Sequence, residues 1–270
     1  GGCQLIENKK VSTGGHWTET EASMHINYLE ILAAWLTIKS YCKSVRNCHI
    51  KINSDNTTTV AYLNNLGGRK YKCNELTREI WLWCFEHDNW ITSAYLPGEL
   101  NVEADKQSRS VHDNTEWTLN NVLFDRICIR WGVPEIDLFA NRLNNKVPVY
   151  MAYKPDPGAL AIDALSETWT KWFFYAFPPF NLIGRILRKI ENDQATGILV
   201  VPYWPGQHWF SKFTQMCVNE PCILYSREEA AKPHLSHPWR STEDHLPKMR
   251  LLAALVTGEK HRGDYQAAPT

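Results

Sequence analysis

Residues 48–68 read CHIKINSDNTTTVAYLNNLGG. His49 to Asn53 alternates polar and apolar side chains, with Ile50 and Ile52 on one face, which is strand periodicity. Asp55 follows at the end of that strand. Asn56 and three threonines come next, then Val60, Tyr62, Leu63 and Leu66 at helical spacing. Asn56 suits a helix N-cap, and Gly67-Gly68 suits the stop. One acid therefore stands where a strand hands over to a helix. In α/β folds, ligands and chemistry collect at the carboxyl ends of strands. The plainer role for Asp55 is a turn or capping aspartate.

The whole chain has 270 residues, room for one large domain or two ordinary ones. Hydrophobic residues make up 44%, enough for a packed core. Lys+Arg and Asp+Glu balance at 29 each, so any nucleic-acid contact comes from a local patch. The 8 cysteines form no CxxC pair, which excludes zinc-ribbon spacing and favours a reduced, intracellular setting. No apolar run reaches the length of a membrane span. The opening Gly1-Gly2, running straight into strand-like CQLI, reads as a piece of a longer polypeptide.

Two strands are expected at Gly1 to Ile6 and Val11 to Thr18, with Thr20 to His25 as a loop. Asn27 is expected to cap a helix from Tyr28 to about Val45. Glu30 lies in its first turn, with small residues Ala33, Ala34 and Thr37 leaving the face above it open. A carboxylate there either favours the positive helix terminus or rims a site. Asn74 to Glu86 reads as an amphipathic helix and Trp90 to Leu96 as a strand ended by Pro97-Gly98. LNVEADKQSR, residues 100–109, then offers Asn101 as a cap and Asp105 in a short helix, where an exposed acid is the ordinary role. Glu30, Asp55 and Asp105 thus stand at three element ends. Gathered carboxylates repel one another and suit hard cations, which take oxygen ligands.

INYLEILAAWLTI, KINSDNTTTVAYLN and YLPGELNVEADKQSR resemble the second, third and fourth active-site blocks of a type 1 ribonuclease H domain. More closely, they resemble the version that follows reverse transcriptase in tyrosine-recombinase retrotransposons of the DIRS type. The resemblance implies an α/β fold for residues 1–110, a ribonuclease H-like mixed five-stranded sheet with helices. It implies Glu30, Asp55 and Asp105 as catalytic carboxylates holding two Mg²⁺ ions, and Asn56, Thr57 and Asn101 as contacts to an RNA–DNA hybrid. It implies an upstream reverse transcriptase domain of the same polyprotein as a partner. Two departures stand out. The family's first aspartate, on its first strand, has no counterpart after Gly1, so slow hydrolysis is expected. Tyr95 stands where many members carry a His.

Residues 111–117 read as a linker, and a second unit follows at 118–226. Leu119 to Trp131 reads as a helix stopped by Gly132 and Pro134. EIDLFA, residues 135–140, Trp172 to Phe177, Gly197 to Val201 and Pro221 to Tyr225 read as strands. Asn181 to Asp193 and His208 to Cys217 read as helices. Strands alternating with helices predict a parallel sheet. PEIDLFANRLN, YAFPPFNLI and ILVVPYWPGQHWF resemble the adenine methyltransferase-like segment of the same retrotransposons. In amino-methyltransferases a polar residue before Pro-Pro-aromatic holds the target amine. Here the loop is Phe177-Pro178-Pro179-Phe180, and a phenyl ring accepts no amine hydrogen bond. Asn141-Arg142-Leu143-Asn144 replaces the Gly-rich cofactor turn. S-adenosylmethionine binding is therefore not expected, and Pro178-Pro179 reads as a strand stop. Phe180, Trp204 and Trp209 either stack bases or pack in the core. Residues 227–270 read as a Pro/His tail, with His234, His237 and His245 in loops and a last short helix within Leu246 to Thr257.

The function expected is Mg²⁺-dependent hydrolysis of the RNA strand of a hybrid during reverse transcription. The alternatives are a non-catalytic remnant that binds nucleic acid or packs against the polymerase, and an adenine methyltransferase.

Overall fold

The computed structural model describes residues 2–6, 9–100, 118–224, 235–236 and 250–259. Asn101, Asp105, the 111–117 linker and His234, His237 and His245 lie outside the described residues. The chain is mixed α/β and divides into two compact units. One comprises Gly1–Asp113 with Lys154–Ala159, the other Asn114–Tyr153 with Leu160–Thr270.

In the first unit, β1 (Gly2–Ile6) and β2 (Lys9–Thr13) form an antiparallel hairpin. A short helix α1 (Glu19–Ala22) follows, where a loop was expected. Thr18 and Glu21 make a reciprocal capping box that holds even four residues in helix. The long helix α2 spans Ile26–Tyr41, shorter than expected, and His25 rather than Asn27 caps it. The strand β3 (His49–Ser54) pairs in parallel with β4 (Trp90–Tyr95), and α3 (Thr57–Asn64) and α4 (Tyr71–Glu86) cross between them.

Ile31, Leu32, Trp35 and Ile38 of α2 meet Tyr62 and Leu63 of α3 and Leu76, Ile80 and Cys84 of α4 in one buried cluster, with Ile91 of β4 beneath. Ile50 and Ile52 pack against its margin, as their alternation requires. Gly2 lies against α2 so closely that a Cβ there would sit 2.2 Å from Thr37 Oγ1. The face above Glu30 is thus covered at Thr37 rather than open throughout. Asn64 closes the outer edge of β4: its Nδ2 donates to the Ser93 carbonyl and its Oδ1 accepts from Ser93 N, both at 2.8 Å. A side-chain amide here occupies the backbone groups a further strand would take.

The second unit carries the five-stranded sheet. It is mixed rather than parallel, and the described strands of the first unit form two separate pairs. The small strand β5 (Thr118–Leu119) pairs with β12 (Leu235–Ser236), and β7 (Met151–Ala152) with β8 (Ala161–Ile162). The main sheet runs β11 (Cys222–Leu224), β13 (Leu251–Thr257), β10 (Thr196–Pro202), β9 (Phe173–Ala176), β6 (Ile136–Asp137). The strands β6, β9 and β10 are parallel, and β13 runs against both of its neighbours.

The residues of β13 were expected to include a helix. LLAALVT is instead a strand whose side chains alternate between two buried faces: Leu252, Ala254 and Val256 on one, Leu251 and Ala253 on the other. Burial on both faces erases the polar alternation by which a strand is read. Helices α6 (Ile183–Asp193) and α7 (Phe210–Met216) cover the first face, and α5 (Asn121–Trp131) covers the second. Gly197 is required where β10 meets β9, since a Cβ there would lie 2.3 Å from the Phe174 carbonyl oxygen.

Candidate active site

The carboxyl end of β3 is built by short-range bonds that leave one side chain over. Ser54 O accepts from Leu96 N at 2.9 Å, fixing the strand end against the chain that leaves β4. Asn56 N donates to Ser54 Oγ at 3.1 Å. Asn56 Oδ1 accepts from Thr59 N at 2.8 Å, capping α3 as its sequence implies. Asp55 sits between these anchored neighbours with its side chain exposed. Thr57 opens α3 and is exposed as well.

Glu30 comes to the same place from α2. It is half-buried, and its carboxyl is pushed above the usual range, first by burial and then by the charge of Asp55. Two acids separated in sequence by a helix therefore share one electrostatic field. The chain leaving β4 passes beside Asp55: a Cβ on Gly98 would lie 3.8 Å from Asp55 Oδ2. The route toward Asp105 thus starts beside Asp55, and Asp105 itself is outside the described residues. Tyr95 pairs with Ser54 at this end of the sheet and is 55% exposed.

Among the described residues no group of three or more His, Cys, Asp or Glu is placed to hold a metal. Glu30 and Asp55 offer carboxylate oxygens, the donor type that hard divalent cations take.

Sequence reading gave Asn27 a capping role and missed its link to Asn56. Asn27 Oδ1 accepts a hydrogen bond from Asn56 Nδ2 at 3.3 Å, tying the first turn of α2 to the β3–α3 junction. The three-residue spacing from Asn27 to Glu30 places both on one helix face, and that spacing was the available signal. Asn56 was expected at a nucleic-acid surface, but its side-chain oxygen and nitrogen are both engaged in bonds within the fold.

The second unit has its own acid at a strand end. Asp137 closes β6 and is 2% exposed. Its Oδ2 accepts from Lys146 N at 3.0 Å and its Oδ1 from Phe139 N at 3.3 Å, which closes the loop between them. Burial pushes its carboxyl up to about 6, against the pull of those two N–H groups. Tyr175 stands next to it in register on β9, and burial, then the Asp137 charge, raises its hydroxyl well above the ordinary range. The Asn141 turn is latched by side chains, with Asn144 Oδ1 accepting from Asn141 N at 2.7 Å and Asn141 Oδ1 from Leu143 N at 2.8 Å.

Phe177 is 7% exposed and packs in the core, and its ring lies 6.3 Å from that of Phe180. The strand β9 ends at Ala176, just before Phe177-Pro178-Pro179. Trp209 is buried, whereas Tyr203 and Trp204 are exposed beyond β10, with Phe180 edge-on to Trp204 at 5.3 Å.

No known protein-family model matches the chain, and no curated protein matches it in sequence. Among the described residues no helix is long and apolar enough to cross a membrane.

Proposed function

We propose that the first unit is a ribonuclease H-like domain that hydrolyses the RNA strand of an RNA–DNA hybrid with Mg²⁺. The observation that carries this reading is that the Asn56–Asn27 bond ties the segments bearing Asp55 and Glu30, that the Asp55 charge acts on Glu30, and that the chain toward Asp105 departs beside Asp55 at Gly98. Carboxylates from three different elements would then face one another. Glu30, Asp55 and Asp105 would hold the cation. When bound, Mg²⁺ activates water and stabilises the leaving oxygen of a phosphodiester.

The chain's own part is positional. The Ser54 and Asn56 bonds fix the Asp55 backbone, so its carboxylate need not reorganise as a substrate arrives. Half-burial of Glu30 shields its own carboxylate in part from bulk water. Thr57, exposed at the start of α3, stands where a hybrid phosphate would meet a helix N-terminus.

The experiment is cleavage of a labelled hybrid with and without Mg²⁺, using the chain and its Glu30→Gln variant. Release of RNA fragments only with Mg²⁺, and its loss in Glu30→Gln, supports the reading. Hybrid binding without cleavage in any divalent cation would mark a non-catalytic nucleic-acid-binding domain instead. Cleavage unaffected by Glu30→Gln would place the chemistry elsewhere.

A further inference from the structure

The Asn27–Asn56 amide pair has a place that nothing in the capping of α3 requires. Asn56 caps α3 through Oδ1 alone, toward Thr59 N at 2.8 Å and Thr59 Oγ1 at 3.3 Å. Its Nδ2 is left to reach across to Asn27 Oδ1. Asn27 lies one turn before Glu30 on α2, and Asn56 immediately follows Asp55. The bond therefore ties the two segments that carry the carboxylates, one residue from one of them and one helical turn from the other. Like charges at Glu30 and Asp55 push α2 and the β3–α3 junction apart wherever no cation sits between them. A neutral amide bond beside them opposes that separation.

Resting on the metal-dependent reading above, we propose that Asn27 is a positioning residue that sets the separation of Glu30 and Asp55 and thereby the affinity for a divalent cation. Asn27 acts through Asn56 and makes no ligand bond of its own. Only its acceptor oxygen is used, so a substitution that keeps an oxygen there keeps the function. Mg²⁺ demands near-ideal octahedral geometry and tolerates little change in the spacing of its oxygen ligands.

The test is binding of Mn²⁺ to the 270-residue chain, followed by loss of its free-ion electron spin resonance signal, with Mg²⁺ as competitor. Asn27→Leu removes the acceptor at similar size and is expected to weaken Mn²⁺ by about tenfold, the scale on which loss of a group that orients metal ligands lowers affinity. Asn27→Asp keeps the acceptor and is expected to bind at least as tightly as the parent chain. Asn64→Leu is the control for a merely structural loss: it breaks two bonds to Ser93 away from Glu30, and is expected to lower the melting temperature while leaving Mn²⁺ affinity alone. Parent-like affinity in Asn27→Leu overturns the positioning role and leaves the metal reading standing. Equal weakening in Asn64→Leu also overturns it, because affinity would then follow stability. A parent chain that binds no Mn²⁺ overturns both.

Discussion

Two aspartates close two strands of parallel pairs in this molecule, and they have opposite fates. Asp55 directly follows β3 with its side chain exposed, while the bonds around it are made by Ser54, Asn56 and Thr59. Asp137 ends β6 almost wholly buried, and its oxygens are spent on the N–H groups of Phe139 and Lys146. The same residue type at the same topological point is available for chemistry in one unit and consumed by loop closure in the other. A strand's carboxyl end therefore marks a candidate site only when the acid's lone pairs are not already the acceptors that hold the loop together.

The largest effect expected from this contrast is on cleavage. Asp55→Asn keeps the shape and removes the charge, and should lower Mg²⁺-dependent hydrolysis of a hybrid by at least about a hundredfold. Asp137→Asn should leave that rate unchanged. A reversed outcome in the same assay would mean that the buried acid belongs to the chemistry.

The next effect is on stability and has a definite sign. The Asp137 carboxyl lies near 6 in the folded chain against 3.8 for the ordinary group. A group raised on folding contributes stability that is full below the lower value and is lost as pH climbs through the upper one. The second unit should therefore lose roughly 3 kcal/mol of Asp137-linked stability between about pH 4 and pH 7. Denaturant unfolding of the parent and Asp137→Asn at several pH values isolates this. The amide turns a donor toward a backbone N–H, so the variant should be weaker at pH 4, and the gap should close as pH rises. A gap that widens with pH would show that the carboxylate is better stabilised than its burial implies.

A smaller effect is expected where a side chain substitutes for a strand. Asn64→Ala leaves the Ser93 N–H and carbonyl without their amide partner and should cost about 1–2 kcal/mol in denaturant unfolding. A change below about 0.5 kcal/mol would mean that water replaces the amide without loss. The smallest effect concerns the loop after β9. With Phe177 in the core and Asn141 latched to Asn144, S-adenosylmethionine should bind no tighter than roughly 1 mM, about −4 kcal/mol. Calorimetric titration showing tighter binding would reopen a methyltransferase role for the second unit.

The sequence by itself determined what neighbours in the chain can settle. The alternation of Ile50 and Ile52 placed β3, the Asn56 cap placed α3, and the apolar spacing in 74–86 and 181–193 placed α4 and α6 to within a few residues. These signals are local, because a cap or an amphipathic stripe is written within a few residues of where it acts. Only the tertiary structure decided that LLAALVT is a strand, inserted antiparallel between β10 and β11. A run buried on both faces carries no period, and its identity comes from partners far away in sequence. The fates of the two aspartates were likewise undecided by sequence. Asp55 and Asp137 both read as acids at strand ends, and burial, with the loop to Lys146 closed onto Asp137, separates them. The Asn27–Asn56 bond belongs to the same class, since a hydrogen bond between residues 29 apart leaves no mark in either segment until both are folded.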